Sequence, residues 1–181
     1  MTQENGTQPD AAEVEAIAES IERGDDPYTV PEEMLVEPEP DKPVNKSLYN
    51  QIAHMTVGER VKLALKGNRD ARMILIRDPN RLIQRFVLKN PRITDDEILM
   101  VARNRNLDTD LLRQIGEHKS WPRNYQIKLA LVTNPKSPLA TALHFVSNLM
   151  ERDVRFLAKS KNVSSVIATQ ARRMLMQREK K

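Results

Sequence analysis

Short apolar stretches alternate with polar turns along most of the chain from residue 46 onward. Segments such as VKLALK, LIQRFVLK and YQIKLALV repeat apolar residues at three- and four-residue steps, which is the period of one helix face. Sustained apolar–polar alternation is absent, and no hairpin dipeptide separates β-branched runs. The pattern predicts an all-α domain over residues 46–181, built of about nine or ten short helices.

Several of these apolar segments end at an asparagine. We expect helix ends at Asn68, Asn80, Asn90, Asn134 and Asn162. Asn90 and Asn134 both precede a proline and lie 44 residues apart, which suits two units of roughly 20 to 25 residues. An asparagine can leave the helix or bond nearby backbone, and the proline prevents the helix from continuing. We interpret the asparagines as turn residues; the alternative is a ladder of amides that binds a ligand.

Helices of this length are not stable alone, because a short helix cannot offset its nucleation cost in water. Stacked helix pairs would bury their apolar stripes against one another, so the fold predicted is a short α-solenoid of stacked helix pairs. Helix starts are predicted from caps and prolines. They are Ser47, the capping boxes Thr56–Glu59 and Thr94–Glu97, Asp108, Ser120-Trp121-Pro122 and Ser137-Pro138.

Two segments carry a resemblance to known families, LKNPRITDDEILMVA and LVTNPKSPLATALHFV. Their order of apolar helix, Asn-Pro, turn and helix resembles the HEAT-like and leucine-rich-repeat-variant α-helical solenoids. The span from Ser47 to Leu175 more closely resembles a small conserved bacterial family without an assigned activity. The leucine-rich-variant family can be associated with a cysteine-bound iron–sulfur cluster. This chain has no cysteine, so the resemblance implies no cofactor here.

Charge divides the chain into two opposed parts. Residues 1–45 contain 13 acidic and two basic residues, a net charge of −11, and six of the eleven prolines. This composition predicts a disordered, acidic, Pro-rich N-terminal arm. A short helix over 10–23 can begin at Asp10 and stop at Gly24. Such an arm is either a solubilising tail or a peptide that becomes ordered on a partner.

Residues 46–181 contain 27 basic and 12 acidic residues, a net charge of +15. The absence of cysteine excludes a disulfide framework and favours the cytoplasm. The N-terminus lacks the pattern of a signal peptide, and the longest apolar runs are too short to span a bilayer. We therefore expect a cytoplasmic protein that does not enter a membrane.

Signatures of catalysis and of cofactor binding are scarce. The chain has no Gly-rich phosphate loop, no HExxH pair and no GxSxG elbow. We therefore expect no catalytic residue, no metal site and no cofactor, hence no enzyme. The weakest alternative is a base-excision enzyme, which would need a pocket joining Trp121 to Asp108 or Asp110.

Basic residues at helical spacing are the best indication of function. Two trios can each line one helix face, Arg81, Arg85 and Lys89, and Arg152, Arg155 and Lys159. Such faces suit phosphates or acidic peptides, although many basic faces are only solvated. Trp121 either packs with Tyr125 in the core or serves as a stacking platform. The predicted binding residues are Arg69, Arg72, Arg81, Arg85, Lys89, Arg103, Arg105, Trp121, Arg152, Arg155 and Lys159.

These observations favour a non-enzymatic protein-interaction module. It would bind a peptide or a protein on the solenoid face, with the acidic arm regulating access through its opposite charge. The alternative is a nucleic-acid-associated protein that contacts phosphates through the basic stripe.

Overall fold

The computed structural model describes residues 9–39 and 46–179. Within these ranges the chain forms eleven α-helices and no β-strand, which confirms the all-α prediction. The chain divides into two compact units, Met1–Ile93 and Thr94–Lys181. Each unit has its own buried apolar core.

The first unit contains five α-helices and a 3-10 turn at Glu32–Met34. The helices are α1 (Ala11–Arg23), α2 (Lys46–Ala53), α3 (Val57–Lys66), α4 (Arg69–Leu75) and α5 (Arg81–Lys89). Helix α3 lies at the centre and packs against α1, α4 and α5, while α2 packs against α4. Val61, Leu63 and Ala64 of α3 are fully buried because three helices surround them.

Helix α1 confirms the short helix proposed for residues 10–23. Asp10 and Glu13 form a capping box, and Gly24 ends the helix with a φ of 92°, a left-handed conformation that glycine adopts without strain. Val14, Ala18 and Ile21 are buried on the face toward α3 and α5. An isolated helix of this length would be marginal, so packing is what stabilises it.

The structure differs here from the expectation of a disordered arm. Residues 9–39 have a defined place in the first unit, with Val30 and Met34 buried as well as the apolar face of α1. The overall composition did not predict this order, because a few apolar residues at helical spacing are enough to fix a helix when the rest of the unit offers an apolar surface to pack against. Residues 1–8 and 40–45 of the predicted arm lie outside the described residues.

The second unit contains six α-helices and a 3-10 turn at Trp121–Arg123. The helices are α6 (Asp95–Arg103), α7 (Thr109–Glu117), α8 (Tyr125–Thr133), α9 (Leu139–Val146), α10 (Glu151–Lys159) and α11 (Ser165–Glu179). Helix α8 packs against α6, α7 and α9, and α11 packs against α9 and α10.

Most predicted helix starts are confirmed. Thr56 with Glu59 and Thr94 with Glu97 both form capping boxes, and Asp108 caps α7. Three starts are corrected. Ser47 lies inside α2, Pro138 is the N-cap residue of α9, and Trp121 belongs to the 3-10 turn before α8, whose N-cap is Asn124.

The asparagines divide into two roles that the sequence pattern did not separate. Asn90 and Asn134 end α5 and α8 as predicted. Asn68 and Asn80 instead begin α4 and α5, where their side chains accept hydrogen bonds from backbone N–H groups. Asn162 lies in the turn after α10, beyond Ser160, the C-cap residue of that helix.

Asn90 and Asn134 also connect helices within their units. The Asn90 Nδ2 donates to the carbonyls of Ala64 (3.0 Å) and Gly67 (3.2 Å) at the end of α3. The Asn134 Nδ2 donates to those of Ala102 (2.8 Å) and Asn104 (3.0 Å) at the end of α6. Both side chains are buried and bonded to backbone, so these two amides are structural and the ligand-binding alternative is wrong for them.

Candidate interaction surfaces

The most extensive polar contact in the first unit joins the acidic segment, residues 25–39, to α3, α4 and the turn after α5. The acidic segment contains six carboxylates and no basic residue, whereas residues 46–93 contain 11 basic and three acidic residues. Opposite charges therefore face each other within this unit.

Asp26 forms the first anchor of the acidic segment. Its carboxylate lies 3.1 Å from the Lys62 Nζ and 3.4 Å from the Lys66 Nζ, one helical turn apart on α3. Burial acts to raise the pKa of Asp26, but the lysines and the Tyr28 backbone N–H outweigh it and the pKa is lowered. The anchor is therefore ionised at neutral pH.

Glu37 forms the second anchor, at the start of α4. Its Oε1 accepts a 2.7 Å bond from Arg72, and its Oε2 accepts a 2.8 Å bond from the backbone N–H of Arg69. The Arg92 Nε lies 3.6 Å away. Burial acts to raise the pKa of Glu37, yet these donors and the two guanidinium charges lower it overall.

Main-chain recognition links the two anchors. The Asn68 Nδ2 donates to the carbonyls of Glu33 and Val36, both at 2.8 Å, and the Asn68 backbone N–H donates to Met34 at 2.7 Å. Arg92 donates to the Leu35 carbonyl at 2.8 Å. Lys62 also donates to the carbonyl of Tyr28. The surface thus binds the backbone of the 3-10 turn Glu32–Met34 and the two residues after it, as well as the carboxylates on either side.

Close packing completes this contact at Gly58 in the first turn of α3. The ring of Tyr28 lies so near the Gly58 backbone that a Cβ at position 58 would overlap it. A glycine is therefore required at this position for the ring to pack as it does.

Two of the predicted binding residues, Arg72 and Arg69, lie at this surface. Arg72 is only 2 % exposed and donates to Glu37 and to the Gly67 carbonyl of its own chain. Arg69 contributes its backbone N–H while its side chain is exposed. Four residues were missed, namely Lys62, Lys66, Asn68 and Arg92. The four-residue step from Lys62 to Lys66 was the available signal.

The predicted trio on α5 lies on its outer face. Arg81, Arg85 and Lys89 are all exposed, at successive turns of the helix. Arg85 and Lys89 line one side of a groove of about 220 Å³, and Glu15, Glu19 and Glu22 of α1 line the other. The Lys89 ammonium lies 5.3 Å from the Phe86 ring centre, which is within the range of a cation–π contact. Acidic residues of α1 therefore face Arg85 and Lys89 as well.

The second unit holds the other predicted residues and retains a net positive charge. Residues 94–181 contain 16 basic and nine acidic residues, a net charge of +7. Arg103 and Arg105 are exposed at the end of α6 and in the following turn. Trp121 is 8 % exposed and stacks on His118 with the ring centres 3.7 Å apart. Its ring is therefore part of the core and not an open platform.

Helix α10 presents the remaining trio around an aromatic ring. Arg152, Arg155 and Lys159 are exposed, and so is Phe156, which is not among the predicted binding residues. The signal was present in VRFLAK, because Val154, Leu157 and Ala158 take the buried stripe and leave Phe156 outside it.

The acidic residues considered for catalysis have structural contacts. Asp108 caps α7 by accepting from the Asp110 backbone N–H at 2.8 Å. Asp110 accepts from Gln114 at 3.0 Å and from Arg113. Within the described ranges no cluster of three or more His, Asp or Glu side chains could hold a metal ion.

A pocket of about 240 Å³ lies among α2, α3 and α4. Ile52, Leu75 and Pro79 form part of its apolar lining, and Arg60 and Asp78 pair at 2.6 Å on its polar side. This ion pair joins α3 to the turn before α5, where Asp78 also accepts a hydrogen bond from the backbone N–H of Asn80 at 2.8 Å.

In the part of the chain that the structure describes, no helix is both long enough and apolar enough to cross a membrane. Comparison of the chain with known protein families, curated proteins and solved structures finds no match.

Proposed function

We propose that the chain is a non-enzymatic interaction module that binds an acidic peptide or protein segment on the first unit. The observation that carries this proposal is the acidic segment itself, held through Asp26, Glu37 and the main chain between them. A surface that recognises carboxylates and backbone in cis has the chemistry to recognise a similar segment in trans.

In this proposal the acidic segment regulates access. A tethered segment competes at high effective concentration. A partner therefore binds only when it makes the same contacts more strongly than the segment does, or when the segment is released. The helix pairs would act as a short HEAT-like array in the cytoplasm. The use of Asn90 and Asn134 in the same way in both units supports that repeat arrangement.

The test uses the full chain and a labelled peptide with the sequence of the acidic segment. Asp26→Asn with Glu37→Gln removes both charged anchors and leaves the cationic surface intact. Glu32→Gln with Glu33→Gln is the matched control, because it makes the same charge change at two exposed carboxylates. We expect the first variant to bind the peptide, with salt-dependent affinity, and wild type and the control to bind it far more weakly.

Equal binding by all three proteins would contradict regulation by the acidic segment. No binding to the first variant, with its helicity unchanged by circular dichroism, would contradict the proposed function.

A second candidate function is contact with nucleic acid by the second unit. The net charge of +7 on residues 94–181 favours it, because clustered basic residues on a domain are typical of contact with phosphates. Binding that weakens steeply with salt would support this function, and absence of binding at low salt would exclude it.

A further inference from the structure

Phe156 is the large apolar side chain with the highest exposure in the second unit, at 65 %. The burial of Val154, Leu157 and Ala158 orients α10 on α11, so position 156 points away from the core. An exposed phenylalanine gains nothing from the hydrophobic effect in the isolated chain. A singly exposed apolar side chain is common at protein surfaces, so only the charged neighbours of this ring point to a ligand.

Cations lie on both sides of this ring along the helix. Arg152 precedes Phe156 by one turn, and Lys159 follows it by nearly one turn. The Arg152 Nε lies 3.5 Å from Asp153, and its side chain is 73 % exposed. Arg155 pairs with Glu151 at 2.5 Å, and among the described residues no ion pair involves Lys159. Arg152 and Lys159, four and three residues from Phe156, are the cations that share the helix face of the ring, whereas Arg155 is its direct neighbour in sequence and points elsewhere.

The size of this surface distinguishes between two anionic partners. A stable protein interface buries about 800 Å² on each side around an apolar core. Helix α10 has nine residues, so it is about 13 Å long, and its exposed face offers a single aromatic ring. One ring between two cations instead suits one base between two phosphates, because every base has a flat face that can stack on an aromatic side chain.

We propose that the outer face of α10 binds single-stranded nucleic acid. Phe156 stacks on a base, and Arg152 and Lys159 contact the flanking phosphates. A duplex keeps its bases stacked on one another, so it can use the two cations but not the ring. This inference rests on the second candidate function and names its site and its ligand.

The test measures anisotropy of a labelled oligothymidine of about 12 nucleotides, a length within the range of such sites, and of a duplex of equal length. The proteins are the full chain, Phe156→Ala, and Val166→Ala as the control for loss of an exposed apolar side chain on α11. We expect Phe156→Ala to weaken single-strand binding by roughly 5- to 150-fold and to leave duplex binding nearly unchanged. Val166→Ala should bind like wild type.

Charge is tested with a second pair of variants. Arg152→Gln with Lys159→Gln should lower the slope of log affinity against log salt by about 1.4, since each lost phosphate contact contributes about 0.7 for a single strand. Lys119→Gln with Lys136→Gln removes two exposed charges elsewhere in the unit and is the matched control. Its slope should change less.

Three results would overturn the inference. If the chain binds the oligonucleotide but Phe156→Ala behaves like Val166→Ala, the nucleic acid binds at another site on the chain and the proposed α10 site is wrong. If the full chain does not bind at low salt, the site and the second candidate function are both wrong. If a polyglutamate peptide binds as tightly and is equally sensitive to Phe156→Ala, the partner is an acidic protein.

Discussion

Replacement of Asn134 by alanine should destabilise the second unit strongly, although the residue is buried and belongs to none of the candidate interaction surfaces. The Asn134 side chain is 5 % exposed and makes three hydrogen bonds. Its Nδ2 donates to Ala102 and Asn104, and its Oδ1 accepts from the Lys136 backbone N–H at 2.9 Å. A net value of about 1 kcal/mol for each bond gives a loss of about 3 kcal/mol, because alanine leaves buried backbone groups without partners.

Urea unfolding, monitored by tryptophan fluorescence, measures this loss of stability in the second unit. Trp121 is the sole tryptophan of the chain and is buried in the second unit, so its emission reports unfolding there. With a urea slope of about 1.5 to 2 kcal/mol per molar, the midpoint should fall by about 1.5 to 2 M. The control is Asn162→Ala, an exposed asparagine in the same unit, which should change stability by at most about 0.5 kcal/mol.

A loss of less than about 0.5 kcal/mol for Asn134→Ala would refute the reasoning. It would mean that water or relaxed backbone satisfies the carbonyls at the end of α6 as well as the amide does. A large loss for both asparagine variants would also refute it, because burial and bonding would then not distinguish the two sites.

Three further predictions concern both units. Gly58→Ala should displace Tyr28, because the added Cβ overlaps its ring, and limited proteolysis should then cleave the acidic segment faster than in wild type with helicity retained. Tyr125→Phe should lower the free energy of unfolding by about 1–2 kcal/mol in the urea assay. The Tyr125 hydroxyl donates to the Asp153 carboxylate and accepts from the backbone N–H of Met150, the N-cap residue of α10, and phenylalanine loses both bonds. Burial raises the pKa of Asp70, whose Oδ1 has no hydrogen-bond partner among the described residues, so the ionised form opposes folding. Asp70→Asn should therefore raise the melting temperature of the first unit at pH 7, as measured by circular dichroism. This gain in melting temperature should disappear as the pH falls through the ordinary aspartate range.

Local signals predicted the helices well where the cap residue acts on its own neighbours. The pairs Thr56–Glu59 and Thr94–Glu97 need only three-residue spacing to form capping boxes, so sequence suffices. Asparagine is ambiguous, because the same amide can begin a helix or end one. Asn68 and Asn90 both follow an apolar helical stretch, and only the backbone that each side chain reaches in the fold separates their roles.

Order in the N-terminal residues could not be predicted from composition. The acidic, Pro-rich residues 25–39 resemble a disordered tail when they are considered alone. Their order depends on donors that lie 30 or more positions away along the chain, such as Lys62 and Asn68, and no local pattern reports such contacts.

The candidate surfaces were predicted in part for a similar reason. Spacing along a helix identified the trios on α5 and α10, because faces follow from the helical period. Spacing could not show that acidic side chains of α1 face Arg85 and Lys89 or that Trp121 is buried against His118. Those facts depend on packing between elements.

Native-state hydrogen exchange of the acidic segment tests the central proposal most directly. The reporter is the backbone N–H of Asn68, which donates to Met34 in the segment, and the reference is an α3 amide in the core such as that of Leu65. If the segment is a displaceable ligand, the Asn68 amide should exchange through a local opening whose free energy is lower than that of the unfolding that exposes Leu65. The free energy of this opening should depend little on urea, and added salt should lower it further. If both amides exchange with the same free energy and the same urea dependence, the segment is an inseparable part of the first unit, and its proposed regulatory role is wrong.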